Sequence, residues 1–224
     1  MLFDVGDTLL IEQRFDLEAG IAAAVGELAD ERVLAREFTA EAQALRAVHR
    51  EAHLASWLQR HVNALANDSV DRIEDRVWRA VVTLTPSPGI ADVVGRLAHD
   101  RIPMAAISNA AFSGRVLMDE LARHDLAPFV QFVISSADLD VRKPAPAIYH
   151  AALARLNTSA ARTWFVSDTP DEDIAGAIAV GLPAFLLQTA NAPVEHTDGF
   201  RILRNWTDFV SAYATAIGPS THAS

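Results

Sequence analysis

The stretch DLDVRKPAPAIYH holds Lys143, the only lysine in a chain with 19 basic residues. An ammonium is a compact point charge on a flexible stem, whereas guanidinium is a wide planar fork. A site that holds one carboxylate and one phosphate oxygen has room for the first, and not necessarily for the second. Compositional drift would also leave a stray lysine, so Lys143 gains meaning only from its company. That company is a set of polar residues that close short apolar runs: Asp4 after MLF, Ser108 and Asn109 after IPMAAI, and Asp168 after RTWFVS, with Asp173 close behind.

These residues have to be positioned by the runs they terminate. MLFD, IPMAAISN, FVQFVISS, RTWFVSD and LPAFLLQ are short, rich in Val, Ile and Phe, and separated by helical patterns. Such runs suit buried parallel strands, and their alternation with helices predicts a βαβ sheet. Ligands of such sheets sit at the carboxyl ends of the strands, where the polar residues lie. One stretch differs. From about Phe15 to Val82 the sequence is rich in Ala, Leu, Glu and Arg, with no convincing strand, until TLTPSPG closes it with proline and glycine punctuation. This predicts an α/β core of residues 1–13 and 84–224 with a helical domain, residues 14–83, inserted after the first strand. The terminal GPSTHAS reads as a frayed tail.

Bulk properties narrow the partners. The 224 residues are half hydrophobic and 21% charged, enough for a normal core. The formal net charge of −10 argues against a nucleic-acid footprint, which is basic. There is no cysteine, hence no disulfide framework and no thiolate chemistry. No apolar run reaches the ~18 residues of a membrane helix. The first residues carry Asp4 and Asp7 and lack the basic start of a signal peptide. A soluble cytoplasmic protein is the expectation.

Taken in order, FDVGDTLL, AISNA, RKPAP and FVSDTPDED resemble the four motifs of the haloacid dehalogenase-like hydrolases. The likeness extends over nearly the whole chain, including a helical insert after the first motif, the arrangement called a C1 cap. The resemblance implies a Rossmann-like parallel sheet and Asp4 as a nucleophile that forms an aspartyl-phosphate, later hydrolysed by water. It implies Mg²⁺, which takes oxygen ligands and keeps several waters. The ligands would be Asp4, the Gly6 carbonyl and Asp168, with Asp173 as a further acidic position. Ser108 would hydrogen-bond the transferring phosphoryl group. Lys143 would neutralise Asp4 and the phosphoryl oxygens. Thr8 and Asn109 would contact the substrate, a small phosphorylated molecule.

The sequence also departs from the family. Phosphatase members usually carry Asp-x-Asp-Gly-Thr, and here the motif is Asp4-Val5-Gly6-Asp7-Thr8. The second Asp is the general acid for the leaving alkoxide, a function typically worth ~10²–10⁴ in rate. Gly6 leaves that role vacant, and Asp7 on an extended segment would face the other way. Acyl phosphates, aryl phosphates and halides need no such proton. This opens three readings: a Mg²⁺-dependent phosphatase restricted to activated phosphates, a 2-haloacid dehalogenase, and a binding or regulatory protein with little turnover. Dehalogenases are metal-free with Ser at the position of Asp168, so Asp168 argues against the second. That reading would also need a cap arginine, for which Arg14, Arg32 and Arg36 are available. The insert contains no lysine, which excludes a Schiff-base mechanism of the phosphonate-cleaving kind. Ser167 replaces a usual Gly. Only three residues precede Asp4, where a central strand usually has about five or six, leaving open a start upstream of Met1.

Plainer readings stand beside these. TPDE at 169–172 fits a capping box, with Thr169 as N-cap and Glu172 at N3, so Asp171 and Glu172 are left outside the site. Asp173 fits that helix start as well as a ligand position. Ser108 and Asn109 are also good N-caps for the following helix. HREAH at 49–53 places two histidines on one helical face, but lacks the glutamate spacing of a zinc protease. Trp57 and Trp78 read as core.

Overall fold

The computed structural model describes residues 1–188 and 199–217; the expected tail lies outside them. The chain begins with β1 (Leu2–Phe3), then β2 (Leu10–Phe15). Four helices follow: α1 (Leu17–Val25), α2 (Glu31–Arg46), α3 (Leu54–His61) and α4 (Val70–Val81). The chain returns through β3 (Val82–Pro86), α5 (Ile90–His99), β4 (Ala105–Ser108), α6 (Gly114–Arg123) and β5 (Val133–Ser135). Then come α7 (Ser136–Leu139), α8 (Pro146–Arg155), β6 (Phe165–Ser167), α9 (Ala175–Ala179), β7 (Ala184–Leu187), β8 (Phe200–Leu203) and α10 (Trp206–Ile217).

Six strands form one parallel sheet in the order β5-β4-β1-β6-β7-β8. This is the Rossmann-like architecture expected, with β1 near the centre despite its two residues. Successive side chains point to opposite faces of a strand, and the core divides accordingly. Phe3, Ala106, Val166 and Phe185 pack with α5, α10 and the helical insert, while Leu2, Ala105, Ile107 and Phe165 pack with α8 and α9. The flanking helices supply matching faces. Ile90, Val93, Val94 and Leu97 recur at helical spacing on α5 and are all buried.

The insert has its own packing. Ile21, Ala24 and Val25 of α1 meet a stripe of α4 that includes Val77 and Val81. A side chain on Gly20 would meet the Val81 Cβ at 2.7 Å, so only glycine permits this approach. Two features of the insert depart from expectation. Its borders are an antiparallel ribbon, β2 with β3, instead of a loop and a proline-rich turn. Its long helical pattern also breaks between α2 and α3, where His49 adopts φ 57°. His49 and His53 therefore do not share a helical face. His53 instead caps α3, its Nδ1 accepting from the Ser56 amide at 3.4 Å. Among the described residues no helix is long and apolar enough to cross a membrane.

Two buried carboxylates tie the insert to the sheet domain. Glu74 of α4 accepts from Ser113 N and Oγ, each at 2.6 Å. Glu51, between α2 and α3, accepts from Arg142 Nη1 at 2.6 Å and Ser136 Oγ at 3.0 Å. Burying these charges is tolerable only because each has several donors.

Candidate active site

Parallel neighbours bring the expected residues to one edge. β1 lies between β4 and β6, with Phe3 opposite Ala106 on one side and Val166 on the other. Asp4, Ser108 and Asp168 therefore emerge side by side at the carboxyl ends of adjacent strands. Lys143 arrives from the segment between α7 and α8. Its Nζ donates to Asp4 Oδ1 at 2.5 Å and to Asp173 Oδ2 at 2.8 Å, with the Ile107 carbonyl at 3.4 Å. It is 2% exposed and lies 5.9 Å from the Phe165 ring centroid. Three acceptors converge on one point here, a geometry for an ammonium and not for a planar fork.

Asp4, Asp168 and Asp173 present carboxylate oxygens within 4.8 Å of one another. One lysine does not balance the three carboxylates around it. Burial pushes Asp4 up to about 7 despite Lys143, with the charges of Asp173 and Asp168 adding to the push. Burial works against the Lys143 charge, but Asp4 and Asp173 outweigh it and hold that group above its ordinary value. Asp168 is raised as well, by burial and then by Asp173 and Asp7. Its Oδ1 accepts from Thr8 and Thr169 hydroxyls at 3.4 and 3.3 Å. An all-oxygen cluster carrying excess negative charge fits a hard divalent cation.

Asn109 spends its amide on Lys143. Its Oδ1 accepts from the Lys143 amide at 2.8 Å, and its Nδ2 donates to the Lys143 carbonyl at 3.1 Å and to Glu172 Oε2 at 2.8 Å. Neither Ser108 nor Asn109 caps the next helix; Ser113 caps α6. The capping box at 169–172 is also absent. Residues Pro170–Ile174 form a wide π-helical turn without a side-chain cap. Glu172 consequently turns to Asn109 and to Arg142 Nη2, the latter at 3.0 Å. Burial works to raise the Glu172 carboxyl, but the Asn109 hydrogen bond and Arg142 bring it below its usual range. Asp173 is bonded by Ser167 Oγ as well as by Lys143. The sequence alone leaves Glu172 outside the site as a helix-start acid, marks Ser167 only as a replacement for Gly, and gives Arg142 no role. Arg142 sits beside Lys143 in sequence, the one signal that was available.

Gly6 is exposed, and among the described residues a Cβ added there meets nothing within 4 Å beyond its chain neighbours. Asp7 adopts φ 49°, and its Oδ1 accepts from the Glu12 amide at 3.1 Å, so it braces the β2 turn. A cavity of about 350 Å³ opens above Gly6 and Ser108, roofed by the insert. Arg46 is on its wall; Arg14, Arg32 and Arg36 instead line a separate, wider depression of about 740 Å³.

Comparison with known proteins bears on the family and the fold. Residues 1–181 match the family model of the haloacid dehalogenase-like hydrolases. A ribulose-1,5-bisphosphate 5-phosphatase of Halopiger xanaduensis is 29% identical over 125 residues. That match covers 55% of this chain and 50% of that protein, so the chain spans about half the length of the curated relative it matches. A phosphatase of Thermococcus onnurineus superposes with a TM-score of 0.62 at 16% identity, over 95% of this chain and 96% of that one. A 2-haloacid dehalogenase of Pseudomonas syringae gives 0.60 at 21%, over 96% and 97%. These two share the fold, and they span both chemistries. With the family model covering most of its length, the chain belongs to the haloacid dehalogenase-like hydrolases.

Proposed function

We propose that the chain is a Mg²⁺-dependent phosphatase of a small phosphorylated molecule, acting through a phospho-Asp4 intermediate. The observation that carries this is Asp168 beside Asp4: a second carboxylate close to a nucleophile that attacks an anion is costly without a cation. Asp4, Asp168 and the Gly6 carbonyl would hold the ion, with Asp173 nearby. Bound there, Mg²⁺ would offset the repulsion between Asp4 and a dianionic phosphoryl group. Lys143 holds Asp4 Oδ1, which leaves Oδ2 to attack phosphorus. The bond from phosphorus to the leaving oxygen breaks, and that oxygen takes the electron pair. Water then attacks phosphorus and returns the Asp4 carboxylate and inorganic phosphate. Lys143 and Ser108 stabilise the charge on the phosphoryl oxygens. Gly6 supplies no proton, so the leaving group must depart unprotonated. Residues 14–83 act as the cap that closes the site against water.

The Halopiger relative supports a phosphatase, though not its substrate for this chain. The test is phosphate release from acetyl phosphate and from a sugar phosphate, with and without Mg²⁺, with Asp4→Asn as the blank. Metal-dependent release that vanishes in the blank is the expected result. Absence of release from both refutes the reading for these substrates. Arg46 on the cavity wall favours a second reading, dehalogenation of a 2-haloacid whose carboxylate it would pair. Chloride release from 2-chloropropionate in the presence of a chelator would establish it.

A further inference from the structure

We infer that the substrate is an aryl phosphate, the monophosphate ester of a phenol whose apolar body of one or two rings fills the cavity beneath the insert. This deepens the phosphatase reading and rests on it. Two separate observations converge, one on the body of the substrate and one on its leaving oxygen.

The first is the cavity wall. Beyond Gly6 and Ser108 it is built by Phe15, Leu17, Phe38, Leu54, Trp78 and Phe112. Its size, about 350 Å³, suits a small ligand. Buried hydroxyls cost free energy unless each finds a partner, and this wall offers few. Asn109 touches the cavity, but its amide is committed to Lys143 and Glu172. Thr39, Gln43 and the Glu12 carboxylate are the other polar side chains on it, and all three are solvent-exposed, where water already serves them. A second phosphate would meet one guanidinium, that of Arg46, whose Nε already lies 3.9 Å from the buried Glu51. A polyhydroxylated or bisphosphorylated body is therefore poorly served, and flat apolar rings are well served.

The second is Gly6. With no acid there, the leaving oxygen must carry its own charge away. A phenol, with a pKa of about 10 by analogy with tyrosine, releases its anion far more readily than an aliphatic alcohol. An alkyl phosphate satisfies the wall alone, and a small acyl phosphate such as acetyl phosphate satisfies Gly6 alone. An aryl phosphate satisfies both.

Four probes separate these properties: 1-naphthyl phosphate, acetyl phosphate, benzyl phosphate and glucose 6-phosphate, each with the full chain and Mg²⁺. The expected KM for 1-naphthyl phosphate lies below that for acetyl phosphate by about tenfold to a hundredfold, from burial of the rings. Benzyl phosphate, with an apolar body and an alkoxide leaving group, should inhibit competitively and turn over poorly. Leu84→Gln, at the half-buried ribbon edge of the cavity, should raise the 1-naphthyl phosphate KM at least tenfold more than the acetyl phosphate KM. Calorimetric binding to Asp4→Asn gives a ranking independent of turnover, with benzyl phosphate ahead of glucose 6-phosphate. Acetyl phosphate hydrolysis with no preference for 1-naphthyl phosphate, or equal binding of the benzyl and glucose esters, overturns the inference and leaves the phosphatase standing. Release from none of the four overturns both.

Discussion

Gly6→Asp should convert a protein limited to good leaving groups into one that cleaves alkoxide esters. The structure admits the change. Among the described residues no atom beyond its two chain neighbours lies within 4 Å of a Cβ at Gly6, the position is exposed, and its φ is not among the left-handed ones. The new carboxyl would sit two residues past Asp4, at the strand end where the leaving oxygen departs. A positioned general acid contributes about 10²–10⁴ in rate. The expected gain on glucose 6-phosphate is therefore at least about a hundredfold in kcat, while acetyl phosphate moves by less than about threefold because its leaving group needs no proton. The assay is continuous phosphate release at saturating Mg²⁺, with kcat compared between the two substrates. Asp7→Asn in the wild-type background is the control, since that carboxylate braces the Glu12 amide and should not alter leaving-group preference. If acetyl phosphate is hydrolysed in a metal-dependent way and Gly6→Asp leaves glucose 6-phosphate turnover flat, the vacant acid is not what limits the substrate range.

Three further outcomes follow from the site. Lys143→Arg should lower kcat by at least about a hundredfold, the usual cost of losing a positioned charge donor, because the slot between Asp4, Asp173 and Ile107 accepts a point charge; near-normal turnover would show that the ammonium is not specifically required. Glu172→Ala should cost between about tenfold and a hundredfold in kcat by loosening the Asn109–Lys143 contact, with partial rescue by Glu172→Gln; a pure KM effect would place Glu172 in substrate binding instead. In chelator, the wild type should lose stability as pH rises from about 4 to about 7, because folded Asp4 binds its proton up to about 7 and the unfolded carboxyl releases it near 4. The penalty, fully present above pH 7, is on the order of 4 kcal/mol. Asp4→Asn should therefore raise Tm at pH 8 by several degrees and by much less at pH 5, and added Mg²⁺ should stabilise the wild type but not the variant. An equal Tm gain at both pH values would remove Asp4 burial as the cause.

What the sequence revealed, and what it hid, divides by the range of the forces involved. The strands were readable because each is a run of apolar residues buried on both faces, as in Ala105–Ser108 and Ala184–Leu187. The Asp4–Lys143–Asp173 contact was readable only through the resemblance, since nothing local in RKPAP says that Lys143 crosses 139 positions to Asp4. The β2–β3 ribbon was missed because LIEQRF exposes most of its side chains and shows no alternation, while Pro86 made its partner look like a turn. The break at His49 was missed because the helical pattern on both sides is continuous in composition; the helix end is closed by local backbone bonds, His49 and Arg50 amides to the Arg46 and Leu45 carbonyls, with His49 at φ 57°, and the His49 carbonyl accepts from the distant Arg142 amide at 3.0 Å. Glu172 is the most telling case. Its sequence context fits a capping box, and propensity alone assigns it to a solvated helix start. In the fold it is drawn off by Asn109 and Arg142, two partners 63 and 30 positions away. A local motif lost to a long-range charge pair at the place where Lys143 must be held, and such conflicts are expected where a site overrides local preference.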